Sequence, residues 1–107
     1  MDSNNIENGG SLPEINRVVH EPARFLIMTY LYVVENADFL FLERQTKLTR
    51  GNLSSHLSKL ESAGYVEINK EFVEKIPRTL LSLTKSGRKA FDEYRQNMKQ
   101  VLDNLPK

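Results

Sequence analysis

The chain has 107 residues, 39% of them hydrophobic, with no cysteine, two widely separated histidines and a formal net charge of +1. That length fits one compact domain, and the missing cysteine excludes disulfides, thiolate catalysis and cysteine-ligated zinc while remaining compatible with a cytoplasmic location. The near-neutral total conceals a division: residues 1–43 hold seven acidic and two basic side chains, residues 44–89 hold four and ten, and the rest balances at three of each, an asymmetry that points to a polyanion-binding face.

Met1–Ser11 is polar and glycine-bearing, so it is expected to be a disordered tail, neither signal peptide nor anchor. No stretch approaches the roughly 20 apolar residues that a bilayer span needs, and no membrane partner is expected. Pro13 suits the first turn of a short helix over Glu14–Val19. Pro22 restarts the chain into a second helix, Pro22–Glu35, whose Phe25–Val34 run is apolar on nearly every side; such a helix is expected to be buried all round as the hub of the core. Asn36-Ala37-Asp38 breaks it, Phe39-Leu40 reads as a short strand, and Phe41–Thr46 as a short helix.

Thr49 is a good N-cap for the next helix, which runs from Arg50 to about Ala63 and stops at Gly64, well placed for a left-handed residue. Leu53, Leu57 and Leu60 form one inward stripe at i, i+4, i+7. Asn52, Ser55, Lys59 and Ser62 lie on the opposite face, which is short-sided where a merely solvated face would favour Glu, Lys and Gln. Strands are expected at Tyr65–Asn69 and Arg78–Leu83, joined across a loop, Lys70–Pro77, with basic groups at its edges. Thr84 caps a last helix from Lys85 to about Leu105, along which Phe91, Tyr94, Met98, Val101 and Leu105 follow the 3–4 alternation of a coiled-coil seam.

A short helix, a tight turn, a longer helix with a small polar face and a basic hairpin make a winged helix-turn-helix, mainly α with a small β-hairpin wing. The major groove, about 12 Å wide, accepts one α-helix, and cations on flanking loops neutralise phosphates. The segment Thr49-Arg50-Gly51-Asn52-Leu53-Ser54-Ser55-His56-Leu57-Ser58-Lys59-Leu60-Glu61, followed by Gly64-Tyr65-Val66, resembles the recognition helix and wing start of MarR/ArsR-like winged-helix regulators. Pro77-Arg78-Thr79, Leu83-Thr84, Gly87-Arg88 and Ala90-Phe91 resemble that family's wing exit and final helix. His20-Glu21-Pro22-Ala23-Arg24-Phe25 resembles the opening of its first core helix. The resemblance spans roughly His20 to Phe91 and implies a dimeric transcriptional regulator acting on double-stranded DNA, with a small-molecule effector possible. The terminal helices are shorter than in larger MarR members, which places the chain nearer the single-domain branch. Without cysteine it lacks the metal-sensing motif of ArsR relatives.

The expected DNA-facing residues are therefore Arg50, Asn52, Ser54, Ser55 and Lys59 on the helix, Lys70, Lys75 and Arg78 on the wing, and Lys47 and Arg44 beside the groove. Arg50 and Lys59 suit phosphates or guanine; Asn52 and Ser55 suit base edges. His56 adjoins the leucine stripe and fits a packed histidine as well as a phosphate contact. Residues 12–107 are expected to form the domain, with 85–105 as a homodimerisation helix through Phe91, Tyr94, Met98, Val101 and Leu105. No catalytic constellation, metal-ligand spacing or glycine-rich phosphate loop is present, so neither an enzyme nor a cofactor is expected. The rival is a winged helix serving as a protein–protein adaptor, since fold alone does not fix function; an adaptor would carry an apolar or acidic face where this helix is polar and basic.

Overall fold

The computed structural model describes residues 13–106, so the expected N-terminal tail, 1–11, lies outside the described residues. The elements are α1 (Pro22–Val34), β1 (Asn36–Asp38), α2 (Phe39–Thr46), α3 (Arg50–Ser62), β2 (Val66–Val73), β3 (Ile76–Leu83) and α4 (Lys85–Asp103). This is the winged-helix α+β arrangement: helices packed over a three-stranded antiparallel sheet of order β1-β3-β2.

Local chemistry places most boundaries. At the start of α1, Pro22 occupies the first turn and the Glu21 carboxylate accepts the Arg24 N–H at 2.8 Å. Thr49 accepts the Asn52 N–H at 3.2 Å and opens α3. That helix ends in a Schellman turn: Gly64, at φ 81°, donates to the Glu61 carbonyl, and Tyr65 donates to that of Leu60, satisfying carbonyls the helix leaves free. Between α2 and α3 lie only Lys47, Leu48 and Thr49, with Lys47 left-handed at φ 61°, the short turn of a helix-turn-helix.

Several expectations are corrected. Residues Glu14–Val19 form no helix, because the Asn16 carboxamide oxygen accepts the N–H groups of Val18 and Val19 at 2.9 and 3.1 Å and closes a local turn that competes with helical bonding. Phe39-Leu40 is not a strand. The strand is Asn36–Asp38, pairing with Leu80–Ser82, and Asp38 then caps α2 by accepting the Phe41 N–H at 2.7 Å. The hairpin strands are longer than expected and in unbroken register from Val66↔Leu83 to Val73↔Ile76. Only Glu74 and Lys75 remain as a turn, both at positive φ, as a two-residue type I′ connection demands. Nor is α1 buried all round: Ile27, Met28 and Leu31 are fully enclosed, whereas Val33 is 73% exposed and Phe25 and Val34 are partly so.

The core joins Val19, the α1 trio, Leu42, the α3 leucines, Val66 and Leu81 to Phe91 and Tyr94 of α4. Phe91 and Tyr94 thus belong to the chain's own core, Phe91 lying beside Phe25 with ring centroids 5.8 Å apart, which corrects their place in a seam left free for a second chain. The distal half of α4 differs. Arg95, Gln96, Lys99 and Gln100 are exposed, as are Leu102 (60%) and Leu105 (59%). The radius of gyration, 16.7 Å, and a long axis of 60 Å exceed what a compact chain of this length requires, roughly 13 Å in radius.

Candidate nucleic-acid interface

The α3 helix has two sharply different sides. Leu53 and Leu60 are fully buried and Leu57 nearly so, anchoring the rod against the other helices and the sheet. Gly51, Asn52, Ser54, Ser55, Ser58, Lys59 and Ser62 are all exposed. A Cβ added at Gly51 would meet nothing within 4 Å among the described residues, so none of them requires that glycine. The free N–H groups and positive dipole end of the helix lie at the same end as Arg50.

On one flank α3 faces the hairpin across a cleft of about 950 Å³. Arg50, Ser54 and Ser58 line one wall and Lys70, Pro77, Arg78 and Thr79 the other; Leu57, Ile68 and Leu81 also contribute to its lining. Two carboxylates, Asp38 and Glu61, share the cleft. Arg50 sits 5.1 Å from the Phe39 ring centroid and 3.5 Å from Glu43, and Arg78 lies 3.6 Å from Asp38. Exposed pairs of this kind are worth little, about 0–1 kcal/mol, so either guanidinium exchanges its carboxylate for a phosphate at small cost.

On the other flank His56 is drawn inward. Its Nδ1 lies 3.1 Å from Arg24 Nη1 and 3.9 Å from Glu21 Oε1, while Arg24 Nε donates to the Val18 carbonyl at 2.6 Å. Burial works to raise the Glu21 carboxyl. The backbone N–H groups of Arg24 and Ala23, with His56 and the Arg24 guanidinium, outweigh it and hold the group below the usual carboxylate range. His56 is therefore a strut between α3 and the start of α1, not an outward group.

The structure brings Arg50, Ser54 and Arg78 together at the cleft, with Asn52, Ser55 and Lys59 on the same open side of α3. Lys47 stands apart at the turn before α3 and Lys75 at the hairpin's end; both are exposed. Sequence reasoning missed Gly51 and Ser58. Ser58 lies three and four residues beyond Ser55 and Ser54, so helical spacing alone could have added it to the stripe. A second cleft, of about 660 Å³, lies between residues 14–17 and the Ala90–Asn97 stretch of α4, and its wall includes Tyr94, whose hydroxyl burial pushes its pKa up. No helix among the described residues is long and apolar enough to cross a membrane.

Residues 23–102 match the winged helix DNA-binding domain family. The chain is 34% identical over 89 residues to an uncharacterized protein of Methanocaldococcus jannaschii, covering 83% of this chain and 97% of that one. The transcriptional regulator homologue of Pyrococcus horikoshii OT3 superposes with a TM-score of 0.78 at 31% identity, covering 82% of this chain and 87% of the other. A MarR family transcriptional regulator from Silicibacter pomeroyi shares the fold at 20% identity and a TM-score of 0.62, over 81% of this chain and 57% of its own.

Proposed function

The chain belongs to the winged helix DNA-binding domain family, and on that premise we propose that it is a sequence-specific transcriptional regulator that grips double-stranded DNA as a homodimer. In this reading α3 enters the major groove, and the phosphate backbone runs through the cleft between α3 and the hairpin. One observation carries it: the leucine side of α3 is wholly buried while its glycine, asparagine and serine side is covered by no other element. Glycine is a poorer helix residue than alanine, and Gly51 meets no neighbour among the described residues that would call for it. Close approach by an outside surface would.

Asn52 and Ser55 are assigned to base edges, and Arg50, Lys59, Lys70 and Arg78 to phosphates; Lys47 and Lys75 contribute charge at the margins. Arg78→Ala is expected to weaken binding to all duplexes about equally and to reduce the slope of log K against log salt by about 0.9. Asn52→Ala should instead lower discrimination between the preferred and random duplexes, by about tenfold. Fluorescence anisotropy at two salt concentrations reads both. Unchanged affinity and slope for Arg78→Ala would remove the hairpin from the interface, and no binding by the unaltered chain would favour an adaptor.

The second protomer is proposed to pack on the distal part of α4. Phe91 and Tyr94 are occupied within the protomer and Met98 packs partly against the same core, so the seam runs from Met98 through Val101 to Leu105, with Leu102 beside them. A two-fold dimer would set two α3 helices about 34 Å apart, matching a pseudopalindromic site. Replacing both Leu102 and Leu105 by Glu should halve the mass seen by light scattering and leave the helical circular dichroism intact. A wild-type chain already monomeric at micromolar concentration would end this assignment. A small-molecule effector belongs to the same proposal, its place being the cleft between residues 14–17 and α4, which adjoins that seam.

A further inference from the structure

The hairpin ends in a feature that a solvated turn does not need. Strand β1 pairs only with Leu80–Ser82, so the hairpin is three-stranded at its base and a free two-stranded finger beyond it. From Asn69 to Val73 that finger extends about 13 Å at the usual rise per residue, and every residue from Glu71 to Arg78 is exposed. Its end carries Phe72, 74% exposed, and Ile76, 65% exposed, with Val73 and Pro77 beside them. Turn ends are ordinarily glycine, asparagine, aspartate or serine; an aromatic ring exposed at the end of a projecting finger has no partner among the described residues to explain it.

Register shows which way Phe72 faces. Val66, Ile68, Leu81 and Leu83 pack on the core side of the sheet. By strict alternation Lys70, Thr79, Phe72 and Pro77 continue that same side outward, Phe72 lying directly across from Pro77. Lys70, Thr79 and Pro77 already line the cleft beside Arg50 and Ser54, so Phe72 stands at the outer end of the cleft, on its side of the hairpin. Along the finger this register side holds Lys70 and no carboxylate, while Arg78, which alternates to the other side, reaches the cleft from its edge. Glu71 alternates to the reverse side, opposite Arg78, and Glu74 sits in the turn with Lys75.

We propose that Phe72 is a wedge for the DNA minor groove, entering beside the major groove that holds α3 and partly unstacking one base step there. The inference rests on the DNA-binding function proposed above and adds a contact and a deformation to it. The minor groove, about 6 Å wide, is too narrow for a hairpin's body but admits side chains at its end. Apolar side chains inserted between base steps kink the duplex, with nearby cations holding the flanking phosphates. Lys70 on the cleft side and Lys75 in the turn are those cations. Selectivity then arises at a position α3 does not touch, because flexible pyrimidine–purine steps unstack most readily.

The test uses the full chain and a duplex selected by the wild-type protein from a random-sequence pool, with 2-aminopurine placed in turn at each step flanking the α3 contact. The wild type should raise the fluorescence at one flanking step. Phe72→Ala should abolish that rise and weaken binding roughly tenfold, the order of a lost stacking contact, and Phe72→Trp should restore both. Phe72 is exposed, so the melting temperature should not move. A wild-type chain that binds with no fluorescence rise at any flanking step, or a Phe72→Ala protein with unchanged affinity and signal, overturns the wedge and leaves the DNA-binding function standing. A Phe72→Ala protein whose mass falls in light scattering overturns it in favour of contact between copies of this chain. A wild-type chain that binds no duplex defeats both proposals.

Discussion

Gly87→Ala is expected to destabilise the fold by about 3 kcal/mol, the upper part of the range for forced overpacking, and to lower Tm by roughly 15 °C for a domain of this size. The sign makes the test sharp, because alanine in a helix is ordinarily the better residue by about 1 kcal/mol. Gly87 lies in the first turn of α4, whose start is held by three of the bonds that Thr84 makes. Its backbone N–H donates to the Tyr65 carbonyl at 3.0 Å, its hydroxyl donates to the Gly64 carbonyl, and its oxygen accepts the Gly87 N–H at 2.9 Å. These bonds clamp α4 onto the turn that ends α3. A Cβ on Gly87 would overlap the Tyr65 carbonyl oxygen and lie 2.8 Å from its carbon and 2.9 Å from its Cα. All are backbone atoms, which no side-chain rotation can clear, so α4 must lift away and break the clamp. A thermal melt followed by circular dichroism decides it: a Tm equal to or above that of the wild type means the close approach does not exist in solution.

Leu53→Ala should cost about 2–5 kcal/mol, the usual range for a fully enclosed leucine whose cavity the surroundings only partly fill. Leu53 is fully buried in the first half of α3, so the same change loosens the rod that presents Asn52 and Ser55, and DNA affinity should fall with stability. Ser55→Ala, two residues away on the open side, should leave stability within about 0.5 kcal/mol or raise it slightly while reducing binding. Urea unfolding of the two variants compares the sides directly. Similar losses for Leu53→Ala and Ser55→Ala would mean that α3 does not have one anchored and one free side, and its assignment to the major groove would fall with it.

The elements that sequence located well are those marked by their own residues. Pro22 starts α1, Thr49 caps α3, Gly64 ends it in a left-handed turn and Thr84 caps α4; each is a short-range hydrogen-bond or steric effect readable within four residues. The errors came where two short-range effects compete. Pro13 and the residues after it permit a helix over Glu14–Val19, yet the Asn16 side chain captures two of its N–H groups first. Asp38 was legible as a breaker, but the same carboxylate that ends the strand begins α2. The hairpin turn was missed because Glu74 and Lys75 adopt positive φ without the glycine or asparagine that usually announces it.

By itself the amino-acid sequence determined that this chain makes a capped helix with one leucine side and one small polar side, followed by a basic hairpin and a long amphipathic helix. Periodicity and capping are local, and the chain carries them wherever it folds. Tertiary structure alone decided which apolar residues find partners: Phe91 and Tyr94 turn inward to Phe25, whereas Leu102, Leu105, Phe72 and Ile76 do not. It alone set Arg50 and Arg78, 28 residues apart in sequence, on facing walls of one cleft. The reason is that covering a surface depends on which distant segment arrives against it, and no spacing within a single helix or strand records that.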